Sequence, residues 1–312
     1  GNFQTQNVSD EQRAQGLTTP AMLDKTWDYN FSAGFPVVKD RLWWFTSARF
    51  WGTQEAQAGI FYNKPEYQHT IFYKADTTRP GFTDTYVKDS TSRVTFQLSP
   101  KNKLSGVLTI QKLCSCHNGL SVSTAAESRP NPEIGPGSLA QVNWTHPRTN
   151  RLLFEAGFAP GIGRVNNLAQ EEVSGFNPVA NGLNPLQSDL SVAVSGVLTY
   201  GPLASSPGAG GPYGEVGLSK QYNTMVSVSY ITGSHAFKFG EQSVTGSNPN
   251  NGSLLYNDFP FSYSAAGGTT PGMLRPTAIT SWITPANYYT NVKYNLGFFA
   301  QDQWTINRVT LN

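Results

Sequence analysis

Apolar and polar residues alternate strictly along several stretches of the chain, the pattern of a β-strand with one face sheltered from water. Trp27, Tyr29, Phe31, Ala33 and Phe35 interleave with Asp28, Asn30, Ser32 and Gly34. A turn at 36–41 follows, then Leu42, Trp44, Thr46, Ala48 and Phe50 on one face with Arg49 on the other. The two runs predict a hairpin. The arrangement recurs with Val94, Phe96 and Leu98, the turn Pro100-Lys101-Asn102, and Leu104, Gly106, Leu108 and Ile110. It recurs again from Ala140, Val142 and Trp144 through 146–150 to Leu152, Phe154, Ala156 and Phe158. Tyr222, Val226, Val228 and Tyr230 reach the turn Thr232-Gly233-Ser234, and Phe237 and Phe239 leave it. Last come Tyr294, Leu296, Phe298 and Ala300, then Trp304, a turn at 306–308 and a stub.

These runs predict about ten strands in five hairpins, each closed by a short turn rich in Pro, Gly, Asn or Lys. The intervening segments, roughly 53–91, 113–138, 160–220 and 243–290, are long, polar and rich in Gly, Pro, Ser and Asn, and read as loops. Loops of that length argue against a compact soluble domain. Short turns alternating with long loops are the plan of an outer-membrane barrel. The expected fold is therefore all-β: an antiparallel transmembrane β-barrel segment with short periplasmic turns and long extracellular loops. Residues 1–25 read as an extracellular loop remnant and 26–312 as the partial barrel.

Charge phase and tryptophan position support this reading. Arg or Lys on a lipid face costs about 2–4 kcal/mol at the bilayer midplane, and Asp28, Arg49, Arg93, Glu155, Lys238 and Lys293 fall opposite the apolar series. Lys112 and Asp302 are in phase with it, but near strand ends. Trp43, Trp44, Trp144 and Trp304 lie beside short turns and are expected to form an interfacial girdle at the periplasmic rim. Trp51, near the other end of its strand, is assigned to an outer girdle.

Composition narrows the class further. Only 13% of residues are charged while 12% are aromatic, against roughly 25% charged in soluble domains. A net charge of +2 with no basic stripe argues against nucleic acid as a partner. No apolar run approaches the roughly 18 residues of a membrane helix.

The sequence offers little catalytic chemistry. Cys114-Ser115-Cys116-His117 has neither the spacing nor the second ligand pair of structural zinc. An oxidising compartment favours a disulfide, as a local ring or as a bridge to another segment. His146 and His235 fall at turns, where solvated histidines are the default, and no Gly-x-Ser-x-Gly elbow occurs. No metal or cofactor is called for. Tyr62, Tyr67, Tyr213, Tyr256, Phe259 and Phe261 in the long segments are the candidate ligand contacts, weighed against loops simply packing on themselves.

Three stretches carry a family likeness. Residues 35–45, from Phe35-Pro36 through Lys39-Asp40-Arg41-Leu42-Trp43-Trp44-Phe45, resemble the "GGPI-x-KDKLWFF" hairpin of large TonB-dependent receptors, closest to the Oar-like group. Phe35-Pro36 replaces the usual Gly-Gly-Pro. Leu296–Trp304 resembles the "YAQDxW" strand, and Gly233–Gly240 resembles the "GxHxxKFG" strand opening. The resemblance implies a 22-stranded barrel, a plug domain, and coupling to an inner-membrane TonB complex through an N-terminal region absent here. The partners it implies are outer-membrane lipid, TonB and a scarce small solute: a siderophore, vitamin, glycan or peptide. The opening at Gly1 without a leader and the strand stub at Leu311-Asn312 predict a piece of a longer barrel. A ten-stranded outer-membrane protease or lipase, or a soluble adhesin or sugar-binding module, are the rival readings.

Overall fold

The computed structural model describes residues 8–15, 20–67, 72–117, 119–129, 131–168, 170, 191–194, 198–200, 214–252, 261–281, 286–306 and 308–312. A short helix, α1 (Asp10–Ala14), is capped by Ser9, which accepts from the Gln12 amide while the Gln12 side chain returns to the Ser9 amide. Everything else of consequence is strand.

Ten strands form one antiparallel sheet: β1 (Met22–Val38), β2 (Leu42–Asn63), β3 (Ala75–Ser99), β4 (Asn102–Cys116), β5 (Asn131–Thr149), β6 (Leu152–Leu168), β9 (Gly214–Thr232), β10 (His235–Gly252), β13 (Ala286–Ile306) and β14 (Val309–Leu311). They pair in that order, so each expected hairpin is present, and the sheet is open with β1 and β14 at its edges. β7 (Ser191–Val194), β8 (Leu198–Tyr200), β11 (Phe261–Ala266) and β12 (Arg275–Ser281) form a second, four-stranded sheet in the order β12-β11-β7-β8. Two of the hairpin turns use left-handed backbone, at Asp40 (φ 58°) and Gly233 (φ 56°).

The long segments are less loop-like than their composition suggests. Strand runs into all four supposed loops and makes up most of 53–91 and 243–290: β3 alone has 25 residues, more than twice the roughly 9–11 that cross a bilayer. The reason is physical. Alternation is enforced only where one face meets lipid, and beyond the membrane both faces are wet, so the strand continues after its pattern lapses.

Register settles which residues share a face. Trp27, Tyr29, Phe31, Ala33 and Phe35 stand opposite Gly52, Phe50, Ala48, Thr46 and Trp44, and the series continues across Val94, Leu108, Val142, Phe158, Val226, Phe239 and Phe298. Most of the large side chains among them are not covered by protein: Phe298 is 77% exposed, Tyr29 67% and Phe31 59%. The buried apolar residues instead include Ile60, Tyr62, Cys114, Ala125, Ala126, Val194 and Ala265, at or beyond the outer strand ends. An apolar side chain fully sheltered from water gains roughly 1.5–3 kcal/mol, and here only lipid can supply the shelter.

The charge rule holds with amendments. Lys88, directly opposite Lys112, shares the outward face at the outer end. Asp302, also in phase, meets His235 at the periplasmic end, with Oδ2 2.7 Å from Nδ1. Glu241 breaks the rule, standing between Val226 and Phe298 next to the hydrogen-bonded hydroxyls of Thr224 and Ser243.

Glycines open space where rings lie flat on the sheet. A Cβ on Gly240 would run into the Phe299 ring and approach the Val226 carbonyl to 2.8 Å, whereas one on Gly106 would meet nothing closer than the Gln141 carbonyl at 3.9 Å. Gly240→Ala is therefore expected to destabilise the barrel by about 1–3 kcal/mol, the usual cost of overpacking, while Gly106→Ala is near neutral. The unfolding midpoint of heat-modifiable gel migration measures both; equal midpoints would contradict the packing described.

Candidate functional site

The inner face opposite the apolar one is polar and internally neutralised. Arg49 donates from Nε and Nη2 to the two oxygens of Asp28, at 3.0 and 2.7 Å, and faces Asp89 in register on its other side. Further round, the Lys238 ammonium donates to Glu155 at 2.8 Å, and Ser227 donates to the same carboxylate oxygen at 3.1 Å. Thr91 and Thr109 share a hydrogen bond across β3 and β4. Phe45 leans over Gly34 and Phe299 over Gly240, so the few inner aromatics lie against bare backbone.

On the outer side of the Lys238–Glu155 pair runs a trough across β5, β6, β9, β10 and β13. Two adjoining grooves, of about 520 and 380 Å³, share Asn223 and Val244. The floor is small: Gly157, Ala159, Gly161 and Gly163 on β6, with Gly297 on β13. A Cβ on Gly157 would come within 3.0 Å of the Asn143 side-chain oxygen, and one on Gly163 within 2.6 Å of the Ser219 hydroxyl. The walls carry carboxamides: Gln141, Asn143, Gln221, Asn223, Gln242 and Asn295. Asn223 is held in place, accepting from Gln221 at 3.0 Å and donating to the Ala159 carbonyl at 3.2 Å. Each carboxamide can donate and accept, so the trough suits a neutral solute bearing hydroxyl or amide groups. Among the described residues no His, Cys, Asp and Glu cluster could hold a metal.

Beyond the membrane, the segments following β2, β4, β6 and β10 pack into one cap. Tyr73, Ala125, Val194, Leu198, Ala265 and Leu274 form one apolar cluster, and Ile60, Tyr62, Phe82, Leu120 and Ala126 a second. A buried polar seam joins them. Tyr62 donates to Gln170 at 3.0 Å, and Gln170 donates to the Ala126 and Arg129 carbonyls at 2.7 and 2.8 Å. Glu127 accepts from the Asn63 amide, and Asn63 bridges to the Phe72 carbonyl and the Lys74 amide. The Tyr73 hydroxyl donates to the Phe61 carbonyl; burial, reinforced by the nearby Glu127 charge, pushes its pKa far above the ordinary phenol value. Cys114 and Cys116 are bonded to each other, and next to them His117 Nδ1 lies 2.6 Å from Asp84 while its ring packs on Phe82.

The residues singled out from sequence therefore scatter. Tyr62 is 3% exposed and works inside the cap, which removes it as an outward ligand contact. Tyr67 is half-buried on the short turn Pro65–Tyr67, and Phe261 opens β11. Tyr213, Tyr256 and Phe259 lie outside the described residues. Of the girdle, Trp44, Trp144 and Trp304 face outward, and their indole N–H groups donate to Ser92, Asn102 and Ser234. Trp43 does not belong with them, because successive strand residues point to opposite faces and Trp43 follows the inner one. Trp51 is inner too, sharing a face with Arg49, whose guanidinium lies over its ring at 5.5 Å. The outer position falls to Trp27, which lies against Gly52 with Lys25 above its ring. His235 is not a free turn histidine; it pairs with Asp302 and stacks on Trp304 and Phe237. Sequence reasoning missed the trough, whose signal was a repeated Gln/Asn and Gly pairing on the polar face.

An apolar outward face, interfacial indoles and a polar, charge-compensated inner face define a membrane β-barrel wall. The chain belongs to the outer membrane beta barrel domain family, whose model matches residues 75–312, and it resides in the outer membrane. Its fold resembles that of the outer membrane transporter YddB from Escherichia coli, with a TM-score of 0.56 at 10% sequence identity. The match covers 91% of this chain and 32% of that one, so the chain spans about a third of the transporter's length. No curated protein matches the sequence.

Gln170→Ala removes one hydrogen-bond partner from the Tyr62 hydroxyl and from each of two carbonyls in the cap, which should cost it about 1–3 kcal/mol. Hydrogen exchange is expected to speed up in 60–74 and 120–129 while β4–β6 stay protected; unchanged exchange in both segments would contradict the seam's role.

Proposed function

We propose that this chain is part of the barrel wall of a TonB-dependent transporter that takes up a scarce solute with energy from the inner membrane. The observation that carries the reading is the trough: two adjoining inner grooves, floored by glycines and walled by carboxamides, beside the neutralised Lys238–Glu155 pair. A passage needs many weak polar contacts and no deep charge well, and this wall offers that. The three family-like stretches at 35–45, 233–240 and 296–304 support energy coupling through TonB, with the plug and the TonB-contact region outside this chain. The cap would position the outer segments for capture, with Tyr67 and Phe261 as contacts to test. We assign no reaction to the chain: on its inner face Asp28 and Glu155 serve as the partners of Arg49 and Lys238. Siderophores, vitamins, glycans and peptides all remain within the substrate class, with neutral hydroxylated solutes best suited to the trough.

Uptake assays with the intact protein test the proposal, using ferric siderophores, cobalamin, oligosaccharides and short peptides as probes. One of these should enter cells in a TonB-dependent manner. Asn223→Leu with Gln242→Leu should slow its entry about tenfold, from hydrogen bonds worth roughly 0.5–1.5 kcal/mol each, at an unchanged level of folded barrel. Transport that persists without TonB would refute the energy coupling, and an unaffected rate in the double variant would refute the trough as the path.

A further inference from the structure

One acidic group stands in the middle of the lipid-facing band. Glu241 is in phase with His235, Phe237 and Phe239 on the outward face of β10, in register with Val226 on β9 and Phe298 on β13. It lies six residues above His235, as Phe298 lies six above Trp304, and those two mark the periplasmic rim. Six residues of a strand tilted by about 45° climb roughly 14 Å, close to the midplane of a hydrocarbon core about 30 Å thick. Thr224, Phe239, Ser243 and Leu296 surround it, none of them charged. On the outward face of β9 and β10 no basic side chain stands nearer than Lys220 and His235, each six residues along its strand.

Ionisable groups inside a membrane are costly and almost always pair with another protein group. Lipid chains offer them nothing, and among the described residues Glu241 forms no ion pair. A donor lies beside it. Thr224, its diagonal neighbour at roughly 7–8 Å, shares a hydrogen bond with Ser243. Ser243 is buried and Thr224 half-buried. With Ser243 donating to Thr224, the Thr224 proton is free to point outward. The wall thus presents an acceptor and a donor side by side, framed by the exposed apolar side chains of Val226, Phe239 and Phe298.

We propose that the outward face of β9, β10 and β13 is the contact between two copies of this chain, with the Glu241 carboxyl of each accepting from the Thr224 hydroxyl of the other. The membrane itself favours a second copy as the occupant. Copies inserted in one direction hold every residue at the same depth, so a twofold axis along the membrane normal brings the two polar patches level. A different protein would have to carry its own polar group at that depth. The patch is also self-complementary, as a twofold contact requires: one residue meets a second, and the second meets the first. Close packing and interhelical-type hydrogen bonds drive association where lipid replaces water, and this face supplies both. The inference does not depend on the transport reading.

Cysteine crosslinking of the intact protein tests this, since Cys114 and Cys116 are already bonded to each other. Position 226 lies beside both polar groups and close to the twofold axis. In bilayers holding this protein alone, oxidation of the Val226→Cys variant should therefore join two copies. Phe31→Cys, exposed on β1, should give only collisional crosslinks. Adding Glu241→Leu or Thr224→Val to Val226→Cys should cut the crosslinked fraction about tenfold. Glu241→Gln keeps an acceptor and should retain it. Heat-modifiable migration shows that each variant is folded. Crosslinking at 226 no stronger than at 31 would overturn the proposal, as would an undiminished yield with Glu241→Leu. So would crosslinking at 226, in outer membranes, to a different protein alone.

Discussion

A backbone crossing hydrocarbon must satisfy every N–H and C=O within the protein, because lipid offers no partner. That requirement governs the whole chain. It forces ten strands into one continuous antiparallel ladder, and it forces alternate side chains to be apolar where they meet lipid. What a soluble protein would bury, this one presents: Phe31, Val226 and Phe298 stand exposed on the outward face because the membrane is their core. The polar groups displaced from that face collect on the other, where Arg49 with Asp28 and Lys238 with Glu155 neutralise one another. The trough of carboxamides is the remainder of the same sorting.

Where the strands leave the bilayer the constraint lifts, and a second kind of structure begins. The outer ends of β2, β3, β4 and β5 lose their alternation and join the segments around β7, β8, β11 and β12 in a cap with a conventional interior. Its buried carboxamides are paired as burial demands: Gln170 is engaged by Tyr62, Ala126 and Arg129, and Asn63 uses its backbone and side chain together. The boundary between these regimes is marked outward by Trp27 and the lysines, and inward by the upper end of the trough.

Sequence patterning disclosed the part of the fold that lipid dictates. All five hairpins, their turns and the two faces follow from alternation at positions such as Trp27–Phe35 and Leu42–Phe50. The outer halves of the strands were opaque, since Ala75–Asp89 leaves the lipid band, enters the cap at Phe82 and carries no period. Tyr62 shows the limit for sites: an aromatic in a polar segment reads as a ligand contact, yet its partner Gln170 is more than a hundred residues away in sequence. Trp43 and Trp51 show a subtler one. Their positions along the strand matched a membrane rim, but phase, not height, decides whether an indole meets lipid. The trough was visible only as Gln, Asn and Gly scattered over five strands, which register alone brings together.

The central claim is that one face of this sheet meets lipid and the other a wet lumen. Nitroxide labels placed one at a time at 296–301 on β13, in the intact protein in bilayers, test it most directly. Labels at 296, 298 and 300 should be relaxed by lipid-soluble oxygen, and those at 297, 299 and 301 by a water-soluble nickel reagent, alternating residue by residue. Accessibility without that two-residue period, or with both sets open to the aqueous reagent alone, would contradict the account.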